Sequence, residues 1–109
     1  MKVLYFNNTN SSPQTLDIRR TLENYQKLVG GYIEVLYLTP NTALVCDEEG
    51  KLKGKAPRIM LYGLHGSDET AFTYIVGDFF LCGYKEERFT DYKSDPLLEI
   101  TKDSITILH

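Results

Sequence analysis

The chain has 109 residues, of which 42% are hydrophobic and 25% charged, and its net charge is −3. That length suits one domain with its own core and needs no metal or disulfide staple, and the composition excludes general disorder. The acidic balance excludes a protein that coats phosphate backbones, and no apolar run nears the roughly 20 residues that span a bilayer.

Lys2 to Phe6 reads as a first strand, too short and too soon interrupted by Asn7 and Asn8 to be a signal peptide, so we expect a cytoplasmic protein. Asn7 to Pro13 is a polar loop. Two readings then compete. Ser12 could cap a helix running from Pro13 to Val29, or Thr15 to Ile18 could be a short strand returning along the first, with the helix starting near Thr21. Leu16 and Ile18 alternate with polar neighbours, which favours the hairpin. Leu22, Tyr25, Leu28 and Val29 share one helical face.

Gly30 and Gly31 end that helix, because a left-handed closing residue is least costly without a Cβ. If Gly30 is the cap, Gly31→Ala should be the milder substitution. Tyr32 to Leu38 is a β-rich strand, Thr39-Pro40-Asn41 a turn, and Thr42 to Cys46 the returning strand of a hairpin. Asp47-Glu48-Glu49-Gly50 is a turn, with Gly50 free to take a positive φ. Lys51 to Pro57 is polar and basic, and periodicity leaves Arg58 to Leu64 open as strand or short helix. His65 to Asp68 is a loop. Ala71 to Cys82 reads as one long strand, with a bulge or bend at Gly77-Asp78. The chain is then charged through Lys93; a helix could start at Pro96, and Ser104 to Leu108 could be a last strand.

Three segments together, Leu28 to Val35, Val45 to Leu52 and Ile75 to Leu81, resemble domain-of-unknown-function family 3846. Its members are small bacterial proteins, often encoded by phages or mobile elements. The resemblance covers residues 1 to about 92, supports the hairpin reading of Thr15 to Ile18, and leaves 93–109 as a C-terminal extension of a single domain, 1–109. Members often carry Asn where this chain has Asp47. The resemblance brings no activity, ligand or catalytic residue with it.

Four groups of residues bear on chemistry. Glu34, Asp47, Glu48 and Glu49 could gather oxygens around a hard cation if register brings them together, though a solvated turn is the plainer reading. His65, Ser67 and Asp68 crowd three triad-type residues into one loop, which suits a polar turn better than catalysis. Lys51, Lys53 and Lys55, if extended, point to one face and with Arg58 could grip phosphates while Tyr62 or Tyr74 stacks on bases; the plainer reading is a charged edge against aggregation. Cys46 and Cys82, set in apolar runs, read as reduced and buried. Eight tyrosines suit either an interface or the lining of a sheet through Tyr32, Tyr37 and Tyr74.

We therefore expect an α+β fold, a mostly antiparallel sheet with one main helix, residues 21 to 29, packed on it. Gly30, Gly31, Gly50 and Gly77 are its structural glycines. The leading functional expectation is a non-catalytic interaction module without cofactor or metal. It would bind a protein partner or itself, and no membrane. A nucleic-acid-associated protein using Lys51 to Arg58 is the alternative, and an enzyme comes third.

Overall fold

The computed structural model describes residues 1–8, 12–64 and 72–109. Among these residues ten strands and one helix run in the order β1 (Lys2–Phe6), β2 (Gln14–Asp17), α1 (Leu22–Val29), β3 (Ile33–Thr39), β4 (Thr42–Asp47), β5 (Pro57–Tyr62), β6 (Phe72–Val76), β7 (Phe79–Lys85), β8 (Arg88–Thr90), β9 (Leu98–Ile100) and β10 (Ser104–Ile107). This is an α+β fold with a single helix packed on sheet, as the pattern implies, but the strands form two sheets. One is ordered β2-β1-β7-β4-β3, with β8 on β7; the other is ordered β6-β5-β10-β9. Every pairing is antiparallel except β10 with β5.

The larger sheet is the middle of three layers. Its strands alternate in and out, yet both faces are covered, so β4 and most of β7 are buried at every position. One face sends Leu44, Cys46, Phe79 and Leu81 against Ile59, Leu61, Ile75, Ile105 and Ile107 of the smaller sheet. The other sends Ala43, Val45, Phe80 and Cys82 against Tyr25 and Val29 of the helix. Both cysteines are free and buried.

The helix begins at Thr21, whose side chain accepts from the Asn24 N–H at 3.2 Å. It ends at Gly30, left-handed at φ 75°, whose N–H bonds the Gln26 carbonyl at 2.8 Å. Leu22 stands on the first turn, beyond the core, and is 55% exposed. The Ser12–Val29 helix does not form: β2 pairs antiparallel with β1, and Ile18 N–H bonds Met1 O at 2.8 Å.

The run from Ala71 to Cys82 departs most from its sequence reading. Ala71 lies outside the described residues; the rest is two strands in different sheets. Gly77, at φ 71°, makes the corner, and its N–H bonds Ala56 O at 2.8 Å. Asp78 accepts from Tyr5 Oη at 3.3 Å and from the Asn8 N–H at 3.0 Å. A continuous apolar pattern cannot distinguish one strand from two when both are buried.

Residues 91–109 hold no helix. Asp95 anchors the segment: Thr39 and Thr42 donate their hydroxyls to its Oδ2 at 2.6 and 2.7 Å, and Leu97 N–H donates to Oδ1 at 2.9 Å. The chain then forms β9 and β10, and β10 sits between β5 and β9 with Ile105 fully buried. The last strand is part of the core.

The two glycines after the helix are needed for different reasons. Gly30→Ala places a Cβ at positive φ, costing about 1–2 kcal/mol. Gly31 has ordinary backbone, but an added Cβ would stand 2.6 Å from both Asp47 Oδ1 and Lys53 Nζ. Denaturant melts should therefore show both alanine variants destabilised, instead of a mild Gly31→Ala. Ile105→Ala should cost about 2–5 kcal/mol in the same melts, as for other fully buried aliphatic side chains; a loss below about 1 kcal/mol would mean that β10 is dispensable.

Candidate functional site

The turn after β4 organises the candidate residues. Asp47 is the last residue of β4, and its side chain is 1% exposed. An unpaired carboxylate there would be strongly destabilising, so the chain brings cations to it. Lys55 Nζ lies 2.7 Å and Lys53 Nζ 2.9 Å from Oδ2, while the Glu49 N–H donates to Oδ1 at 2.9 Å. Burial by itself would raise the carboxyl; the bonds from Lys55, Lys53 and Glu49 outweigh it and hold its pKa at about 2. The same ammonium groups donate to the end of the helix, Lys55 to Val29 O at 2.8 Å and Lys53 to Gly30 O at 3.3 Å.

This arrangement changes the geometry expected of the basic segment. Residues 50–55 are coiled by Gly50 N–H to Asp47 O, Lys53 N–H to Glu49 O, Gly54 N–H to Lys51 O and Lys55 N–H to Gly50 O. The three lysines share no face. Lys53 and Lys55 turn inward to Asp47, and Lys51 reaches Thr73 Oγ1 at 3.4 Å. Arg58 lies 5.4 Å from the centre of the Phe6 ring and donates to Asn7 O at 2.9 Å and Lys102 O at 2.8 Å. Gly50 does not take the positive φ expected of it; it is needed because it is buried, with no room for a Cβ beside Val76 Cγ2 at 2.8 Å, and a Cβ on Gly77 would meet Lys55 Cδ at 2.6 Å. Both glycines thus admit the close packing around the clamp.

Antiparallel register sets Glu34 opposite Cys46 and Ile33 opposite Asp47. Glu34, Asp47 and Glu48 therefore do come to one place, the wall of a cleft of about 340 Å³ between the sheets. They are not a cation cage: Asp47 is occupied by the lysines, and among the described residues no group of three or more potential ligands is close enough to hold a metal. Cys46 also lines the cleft, with its thiol pushed up to about 12 by burial first and by the charges of Glu34 and Asp47 next. The Cys82 thiol is likewise pushed up to about 12 by burial. Neither supplies a thiolate near neutral pH. His65, Ser67 and Asp68 lie outside the described residues.

The far wall is β6. Thr73, Tyr74, Ile75 and Val76 all line the cleft, with Leu36, Leu64, Lys51 and Leu52 completing it. Tyr74 also belongs to an aromatic row on the outer face of the smaller sheet. The Tyr62 and Phe72 ring centroids are 5.8 Å apart and those of Phe72 and Tyr74 5.5 Å. The sequence count of tyrosines pointed toward such a surface; the placement of Tyr62 and Phe72 side by side follows from β5–β6 register.

Asp47 gives this region an acid sensitivity. A carboxyl near 3.8 when unfolded and about 2 when folded adds stability fully present above about pH 4, and lost as the pH falls through about 2. The shift corresponds to about 2 kcal/mol. Urea melts of the native protein and Asp47→Asn should differ by at least that at pH 7 and converge below about pH 2; a gap independent of pH would show that the charge on Asp47 contributes nothing.

Among the described residues, no helix is long and apolar enough to cross a membrane. No curated protein and no solved structure matches the chain. The family model described as "Domain of unknown function (DUF3846)" matches residues 1–103, which carries the likeness past the limit near 92 and through β9. With that match extending over nearly the whole chain, the protein belongs to the DUF3846 family.

Proposed function

We propose that this protein is a small non-catalytic interaction module that presents the outer face of β5 and β6 to a protein partner. The observation that carries the reading is the row Tyr62, Phe72 and Tyr74. Its rings are in mutual contact on the solvent side of a sheet, with Phe72 49% and Tyr74 43% exposed. Contiguous exposed aromatic rings are the surface that interfaces use, since they bury large areas at little entropic cost. The cleft beside them offers one protonated thiol, Cys46, and a neutralised aspartate, which suits binding better than nucleophilic or metal chemistry.

The nucleic-acid alternative draws less support. Of Lys51, Lys53, Lys55 and Arg58, three donate to carbonyls or to Asp47 within the chain. Two buried free thiols suit a reducing compartment, and we read the protein as a cytoplasmic accessory factor of a phage or mobile element.

A photo-crosslinking residue at position 72, compared with one at position 23 on the helix, tests the reading in producing cells. A discrete adduct from position 72 and none from position 23 is the expected result. Equal labelling from both, or none from position 72, would remove it.

A further inference from the structure

We infer that the free edge of β6 binds an extended peptide segment bearing a basic side chain, which pairs with β6 and sets its cation between Glu34 and Glu48. This rests on the interaction-module reading and specifies its partner. Successive side chains of a strand point to opposite faces, so a cavity on either face meets only alternate residues. Thr73, Tyr74, Ile75 and Val76 all line this cleft; it therefore runs along the backbone edge of the strand. Among the described residues β6 pairs with β5 alone, and β6 is the terminal strand of its sheet. Its sequence, Phe-Thr-Tyr-Ile-Val, carries no charge and no proline, the devices that normally shield an edge.

An added strand would alternate its own side chains between the two sides. Those turned inward would meet Ile75, Leu36 and Leu64, an apolar wall that accepts aliphatic groups. Those at the mouth would meet charge. Glu34 and Glu48 are exposed there and, among the described residues, neither is in an ion pair. Lys51, the one ammonium among the described residues that line the cleft, leans on Thr73, and Asp47 is neutralised by Lys53 and Lys55. The surplus at the mouth is negative, and the complementary occupant carries Lys or Arg. Leu52, 88% exposed on the turn above the mouth, is placed to cover the aliphatic stem of such a side chain.

The test is fluorescence anisotropy of labelled hexapeptides against the full chain: one alternating Val and Lys, one alternating Val and Glu, and the Val-Lys peptide N-methylated at alternate amides. The Val-Lys peptide should bind, and the other two should not. Glu34→Gln with Glu48→Gln should weaken binding by about tenfold or more, while Glu23→Gln, on the helix and outside the cleft, should leave it unchanged. Both glutamates are exposed, and circular dichroism of each variant checks its fold. Equal binding of the Val-Glu peptide, tolerance of N-methylation, or an unaffected double-glutamine variant would overturn the inference. So would a concentration-dependent dimer, seen by sedimentation, that the peptide cannot dissociate, since a second copy would then hold the edge. If position 72 crosslinks a partner but no peptide binds, edge pairing fails and the interaction module stands; if neither occurs, both fail.

Discussion

A single buried carboxylate fixes the local design. Asp47 is closed off from water at the end of a central strand, and a charge in that position requires partners of opposite sign. Supplying them draws Lys53 and Lys55 inward, coils the turn that carries them, and excludes a side chain at Gly31. Because both ammonium groups also bond the last helical carbonyls, the helix, the end of β4 and the approach to β5 are tied at one point. The functional character of the surface follows. Cations that would have formed a basic face are used internally, and the carboxylates of Glu34 and Glu48 are left to set the charge of the cleft.

The three layers divide labour between rigidity and access. β4 and β7, covered on both faces, form a scaffold with little freedom to move. The smaller sheet has only one covered face, through Ile59, Leu61, Ile75, Ile105 and Ile107. Its other face carries the aromatic row, and its β6 edge borders the cleft. A surface held on a stiff frame loses little entropy when a partner docks.

Much of this was legible in the sequence where the information is local. Thr21, the glycine pair and the Pro40-Asn41 turn are chemical signals for a cap, a stop and a hairpin, and each is used that way. Tertiary assignments were not local. Phe79 to Cys82 looks the same whether it continues β6 or starts a strand in another layer, and only the sheet order reveals the corner at Gly77. The charged residues of 51–58 read as a patch because sequence does not show that Asp47 is buried. Glu34, Asp47 and Glu48 could be named as a group, since a hairpin brings its ends together, but their use depends on neighbours far along the chain. Edge status belongs to topology, and so β6 gave no sequence sign of being an open strand.

The parallel strand β10 has a consequence for biosynthesis. It lies between β5 and β9 and is made after every other strand described, so the smaller sheet lacks an interior member until translation has passed residue 107. A domain generally folds as one unit. β5 and β6 can pack their inner residues on the larger sheet before then, but β5 keeps an unpaired edge until β10 joins it. Ser104–Ile107 is thus the closing key of the smaller sheet: its arrival pairs that edge of β5 and ties β9 to the sheet.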